Sequence, residues 1–352
     1  MERDVLSMRQ MMVLLATALL APATDLLPVL TARKAGGGGW LAVLGALPLL
    51  LIALWAVGRI IQAGGICGVL SGVLRYTIII IYLIWILLTL TLALRLSGAR
   101  LAAVYGEGPA FAYVIVLLIA AAWMGLGKTA ALARAGEIFY LALAVALAGL
   151  LFLAAFKVEP ENLCLSAKEA AALPGSSAAA AGLLLNILPV AVLGSKVSSK
   201  PRNARRAVGW IAALCIALAL LVGAVIGCLG PRLTTRLPAP FLIMVQGLGI
   251  EGVFQRTEAL FTALWTLSDL ILFGLLLHAW RGWASRLHRG KWCRWSILPA
   301  AAVAAAGGWA LFAETEKMWI FSSGVLPAAG LILGLLFPLL AQILPRVWKN
   351  KR

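Results

Sequence analysis

The chain has 352 residues, of which 63% are hydrophobic and only 12% charged, and its mean hydropathy is +1.00. A soluble domain is nearer half apolar and a quarter charged, so the composition excludes one; the apolar runs are continuous rather than alternating, which points to membrane-spanning helices and not to a barrel. The formal net charge of +17 would suit nucleic acid, but the basic residues cluster at the ends of apolar runs, where they read as topology determinants. The five cysteines (Cys67, Cys164, Cys215, Cys228, Cys293) are scattered without CxxC spacing, and the two histidines, His278 and His288, flank a basic loop. That pattern supports neither a disulfide framework nor a metal site, and no nucleophile–base pairing suggests an enzyme. No cofactor is expected.

The first apolar run, about Met8 to Thr31, follows Arg3 and Arg9 and contains Ala21-Pro22-Ala23, which mimics a signal-peptide cleavage site. Apolar character resumes at Leu26 and further runs follow, so the segment is expected to be retained as span one. Pro22 and Asp25 lie in its middle. Proline removes a backbone donor and clashes with the preceding turn, giving either a simple kink or a discontinuous helix whose freed backbone groups line a site.

Nine more runs follow: about Trp40–Val57, Val73–Leu96, Phe111–Leu126, Ile138–Phe156, Ala178–Leu193, Val208–Leu229, Thr257–Ala279, Ile297–Phe312 and Val325–Leu344. Span three offers Tyr82 and Trp85. Lys128, Arg134 and Glu137 precede span five, where Glu137 reads as a proton carrier or as the partner of Arg134. The connection 157–177 is the largest polar segment and reads as an extracytoplasmic loop with a short surface helix or lid. Span six carries Asn186 and Pro189. The stretch Phe241–Val245 is apolar enough to lie at the membrane interface. Neither connection reaches domain size, so residues 1–352 read as a single membrane domain.

Span eight carries two acids, Glu258 and Asp269, eleven residues or about three turns apart on one face with Phe261, Thr262 and Trp265. An intramembrane carboxylate is a functional-site candidate by default. The blander readings are an interfacial pair of Glu258 with Arg256 and a structural hydrogen bond for Asp269. The tryptophans of Lys291-Trp292-Cys293-Arg294-Trp295, between spans eight and nine, suit a lipid headgroup belt rather than a nucleic acid.

The tail before span one, the even-numbered connections and the C-terminal tail together hold 20 of the 30 Lys and Arg, leaving 10 on the other side. The positive-inside rule then puts both termini in the cytoplasm. Divided around the 157–177 loop, the chain has two five-span halves (8–156 and 178–345), each beginning with a proline-interrupted span. Paired interrupted helices at corresponding positions point to an inverted repeat of LeuT type with a midplane site. The expected fold is therefore all-α, with ten transmembrane helices, a 5+5 inverted repeat and broken helices one and six.

Gly252-Val253-Phe254-Gln255-Arg256-Thr257-Glu258-Ala259-Leu260-Phe261 with Trp265 resembles the Gly-x-Phe-x-Arg-x-Glu-Ala stretch of spore germination permeases. These are the B-type subunits of nutrient germinant receptors, within the amino acid–polyamine–organocation superfamily. Leu6-Ser7-Met8-Arg9-Gln10 is similar to that family's opening Ile-Ser-x-x-Gln, and Trp40 and Ala133-Arg134-Ala135-Gly136-Glu137-Ile138 match further landmarks in order. The chain departs at Ala21-Pro22-Ala23-Thr24-Asp25, where relatives tend to have Gly-Ser, and at Gly182-Leu183, where they often have Gly-Glu.

The resemblance implies a permease-like subunit in the spore inner membrane that binds a nutrient amino acid and signals to the other receptor subunits. The alternative is a proton- or sodium-coupled amino acid transporter. In either case helix ends at Ala21–Asp25 and Asn186–Pro189 would meet the ligand's carboxylate and Asp25 its ammonium. Tyr82, Trp85, Phe261, Thr262 and Trp265 would form walls, unless these aromatics are ordinary bundle packing.

Overall fold

The computed structural model describes residues 6–65, 69–70, 72–190, 197, 201–248, 257–287 and 292–342. Among them the chain is helical almost throughout. In order the helices are α1 (Met8–Ala35), α2 (Gly39–Gly45), α3 (Leu47–Gln62), α4 (Gly72–Tyr105), α5 (Glu107–Leu126), α6 (Thr129–Ala155) and α7 (Ala167–Leu185). They continue with α8 (Pro201–Leu229), α9 (Pro231–Arg236), α10 (Pro240–Gly247), α11 (Thr257–Leu287), α12 (Trp292–Trp295), α13 (Ile297–Leu311), α14 (Thr315–Ile320) and α15 (Leu326–Leu331). Two π-helical stretches, Phe321–Val325 and Ile332–Leu336, join α14, α15 and a last helical segment, 337–342, into one span. Each of the ten apolar runs falls on a helix: α1, α2–α3, α4, α5, α6, α7, α8, α11, α13 and the α14–α15 span.

Polar caps mark the helix starts. Ser7 and Gln10 at α1, and Ser166 and Glu169 at α7, form reciprocal capping boxes that satisfy two orphan amides each. The second box starts α7 at Ala167, well before the apolar run at Ala178, so much of the predicted loop is helix. The 3-10 turn Gly36–Gly38 ends α1 because Gly36 takes φ 50, and a Cβ there would lie 1.6 Å from Glu169 Oε1.

The helices pack in two groups. α1, α2, α7 and α8 form one group, in which α1 and α2 each pack on α7 and α8, and α4, α5, α11 and α13 form the other; α1 also packs on α11 across the groups, α6 rests on α1 and α11, and α15 on α7. In span numbers the first group is one, two, six and seven, and the second three, four, eight and nine. Adding five to each span of the first half gives its counterpart in the second, as a 5+5 inverted repeat requires.

Span six is interrupted near its proline: α7 ends at Leu185, and a turn at Asn186–Ile187 leads into a 3-10 turn over 188–190. Span one differs from expectation. α1 is helical across both Pro22 and Pro28. Ser268 Oγ instead donates to the Thr17 carbonyl (2.6 Å) and accepts from the Ala21 N–H (3.0 Å), an i, i+4 pair of the helix. The break becomes a side chain inserted at one turn, which is how membrane helices accommodate proline. Phe241–Val245, expected at the membrane interface, lies in α10, with Phe241, Leu242, Met244 and Val245 buried where α10 packs on α1, α8 and α11.

Candidate functional site

Three charges meet inside the bundle. Arg100 on α4 reaches Asp25 on α1 (Nη1–Oδ2, 2.9 Å) and Asp269 on α11 (Nη2–Oδ2, 2.5 Å). The side chains of Arg100, Asp25 and Asp269 are 5%, 16% and 3% exposed. Burying charges is tolerable only with partners in good geometry, and one guanidinium between two carboxylates supplies it. With all three ionised the cluster carries one excess negative charge. Beside it, Ser97 Oγ approaches Asp269 without a hydrogen bond of standard geometry.

Next to the cluster, Trp265 Nε1 donates to Thr24 Oγ1 (2.8 Å), which itself donates to the Ala21 carbonyl (2.7 Å). Phe241 stacks on Trp265 at 5.2 Å and Phe261 meets it edge-on at 5.8 Å. Thr262 is buried nearby, and its hydroxyl has no hydrogen-bond partner among the described residues.

The helical residues that follow these charges inward line an apolar cavity of about 40 Å³, room for roughly three waters. Its walls are Leu19, Pro22, Ala23 and Leu26 of α1, Thr89, Leu92, Ala93 and Leu96 of α4, Leu183 and Leu184 of α7, Asn186 and Ile187 just beyond it, Leu272 and Leu276 of α11, and Leu326 of α15. Thr89 Oγ1 is buried with no partner among the described residues.

The other end of the cavity lies against span six. Asn186 is fully engaged: its Oδ1 accepts from Trp85 Nε1 (3.1 Å), and its two Nδ2 hydrogens are shared among the Gly182, Leu183 and Leu326 carbonyls. Trp283 Nε1 donates to the Pro189 carbonyl (2.8 Å), and its ring stacks on Tyr82 at 4.9 Å. Tyr82 Oη donates to the Leu333 carbonyl (2.8 Å), a backbone group of the second π-helical stretch. π-Helical turns often sit at functional sites.

Of the residues singled out by sequence, Pro22, Ala23 and Asn186 line the cavity; Ala21, Thr24, Asp25, Phe261, Thr262, Trp265 and Asp269 gather at one end, and Tyr82, Trp85 and Pro189 at the other. Asp25, the expected partner of a ligand ammonium, is ion-paired with Arg100. One expectation needs correction. Glu137 pairs with Arg9 (2.8 Å) and approaches Gln10 (3.4 Å), joining the start of α1 to α6, while Arg134 points away and is exposed. Arg256 and the Glu258 side chain lie outside the described residues.

Sequence reasoning missed Arg100, Ser97, Ser268 and Thr89. Arg100 looked like a loop charge because the apolar run of span three ends at Leu96, yet α4 continues to Tyr105. The available signal was stoichiometric: two mid-span acids on different helices require an intramembrane cation.

No family model matches the sequence, and no curated protein sequence does. Among solved structures, the chain is similar to MhsT, crystallised in complex with L-phenylalanine, with a TM-score of 0.69 at 16% identity over 92% of this chain and 87% of that one. At that identity the likeness carries the fold alone, and the fold is LeuT-like.

Proposed function

We propose that the protein is a secondary transporter that carries an amino acid through the cavity between α1, α4, α7 and α11. The observation that carries this reading is the cavity itself. It lies between the two helix groups, beside the interruption of span six and the turn of span one that Ser268 bridges, which is where inverted-repeat transporters bind substrate. The LeuT-like fold, shared with a protein crystallised with L-phenylalanine, supports the same class of ligand. Both termini are assigned to the cytoplasm because 20 of the 30 basic residues fall on their side of the spans, and Arg100, one of the other 10, lies within the bundle.

The test is uptake. The purified full chain, reconstituted in liposomes, should accumulate at least one radiolabelled amino acid when an inward proton or sodium gradient is imposed. It should lose that uptake when the gradient is collapsed. Absence of uptake for all twenty amino acids under both gradients, with protein that is folded, would sink the transporter reading.

A second reading, a permease-like subunit of a spore germinant receptor, is carried by the resemblance of Gly252–Phe261 and Leu6–Gln10 to that family. It uses the same cavity but predicts binding without net flux, and co-purification with other receptor subunits.

A further inference from the structure

Arg100 is tied to two acids but not saturated by them. A guanidinium has five N–H donors. One on Nη1 meets Asp25 and one on Nη2 meets Asp269, while the buried Nε has no hydrogen-bond partner among the described residues. The two acids also differ in kind. Asp269 and Arg100 stand on α11 and α4, helices of one packing group, in the closer and drier contact. Asp25 stands on α1, in the other group, and is the more exposed partner. Asp269 therefore fixes the guanidinium, and the Asp25 contact is the one that breaks when the two groups separate.

Separation strips a carboxylate and a guanidinium of their partners in an apolar interior, which is costly for each. A ligand that replaces the contact must bring a cation to Asp25 and an anion to Arg100 together. An amine alone leaves Arg100 under-satisfied; a carboxylic acid alone leaves Asp25 bare and adds charge to an already negative cluster.

We propose that Asp25 and Arg100 form an exchange site for an α-amino acid zwitterion, in which the substrate ammonium takes over Asp25, the substrate carboxylate takes over the Nη1 and Nε side of Arg100, and the protein's own ion pair is replaced by two pairs with the ligand. The assignment rests on the amino acid reading given above and specifies its head-group chemistry. The side chain follows from what lies a turn inward. Leu96 is four residues before Arg100, Leu26 adjoins Asp25 and Leu272 is three residues after Asp269, and all three line the cavity. Its wall is aliphatic and its volume small, about 40 Å³. The substrate is a small aliphatic amino acid, with L-valine as the probe.

The test compares L-valine with isobutylamine and 3-methylbutanoate, which lack its carboxylate and its ammonium respectively. Binding to the purified full chain is followed by calorimetry and by ligand-induced thermal stabilisation. Parent protein should bind L-valine and bind either analogue at least about 100-fold more weakly, because each leaves a buried charged group unpaired. Asp25→Asn keeps the Arg100–Asp269 pair; it should lose at least about 100-fold in L-valine affinity and gain measurable affinity for 3-methylbutanoate, for which the repelling carboxylate has been removed. Arg100→Lys keeps the charge but not the fork, and should weaken L-valine about 10-fold or more with folding intact.

If the parent binds L-valine but both variants bind it with unchanged affinity, or the analogues bind as well as L-valine does, the exchange site is wrong while the amino acid reading stands. If L-valine is inert and a larger amino acid binds, the side-chain assignment is wrong. If none of the twenty amino acids binds or is taken up, the amino acid reading falls, and the exchange site with it.

Discussion

Replacing Arg100 by glutamine removes the cation from two buried acids at once. Asp25 and Asp269 are 16% and 3% exposed at the side chain, so water compensates neither fully. Removing one partner of a buried pair typically costs about 3–5 kcal/mol, which is a loss of roughly two to three decades or more in the folded-to-unfolded ratio. The Arg9–Glu137 pair offers an internal control. Its side chains are 70% and 25% exposed, and an exposed pair contributes about 1 kcal/mol or less, so Glu137→Gln should be nearly silent. The assay is unfolding of the purified protein by increasing fractions of SDS, followed by tryptophan fluorescence. A triple variant, Asp25→Asn with Arg100→Gln and Asp269→Asn, separates the pair's own worth from the cost of orphaned charges. Neutral replacement of a whole buried cluster is often harmless, so the triple variant should recover most of the lost stability. An Arg100→Gln protein within about 1 kcal/mol of the parent, or a triple variant as unstable as the single one, would refute the claim that this cluster is desolvated and mutually dependent.

Ser268→Ala should destabilise by about 1–3 kcal/mol in the same assay, because it leaves the Thr17 carbonyl and Ala21 N–H without the hydroxyl that joins them; a silent substitution would mean the turn closes on itself. Gly330→Ala should cost at least about 1–3 kcal/mol, since its Cβ would fall 1.9 Å from the Gly182 carbonyl oxygen where α7 and α15 touch; normal stability and an unchanged melting profile would show that the helices part freely. For topology, a cysteine at exposed Ser166 on a cysteine-free background should label with an impermeant reagent from outside intact cells, and one at exposed Ser285 should not. The reverse pattern overturns the orientation.

The ten spans were legible because burial of backbone polar groups in lipid leaves the helix as the form a long apolar run can take, so hydropathy alone locates the elements. The repeat was legible from Pro22 and Pro189, although the two prolines act differently. At Pro189 the helix does give way. At Pro22 it does not, because Ser268 lies on a distant helix, and no local rule relates a serine at 268 to a turn at 17–21. Arg100 was hidden for the same kind of reason. Read alone, Ser97-Gly98-Ala99-Arg100 looks like a span running out into solvent; only the acids on α1 and α11 turn it into an interior residue. Glu137 shows the converse: a local partner, Arg134, lay within reach, and a remote one, Arg9, won because α1 begins beside α6.

Among the described residues the polar contacts between the two helix groups fall at few places: the turns of α1 around residues 17–25 and the interruption of span six. Ser268 joins α11 to residues 17 and 21 of α1, Trp265 joins it to Thr24, and Arg100 joins α4 to Asp25. Towards the other end, Trp85 of α4 meets Asn186, and Trp283 of α11 meets the Pro189 carbonyl. Elsewhere among the described residues the groups touch largely through apolar side chains, which slide at little cost in directional bonding. The links are unequal: those at residues 186–189 are neutral hydrogen bonds, each contributing about 0.5–1.5 kcal/mol, whereas those at 17–25 include a charge pair that no apolar contact can replace. Opening towards the neutral end loses a few ordinary hydrogen bonds. Opening towards the charged end needs water or a charged ligand to take over the separated groups. The energetic asymmetry between the two ends therefore lies in Asp25 and Arg100, and the Asp25→Asn variant should tip the protein towards the conformation open at that end, read as faster labelling of a cysteine at Thr262.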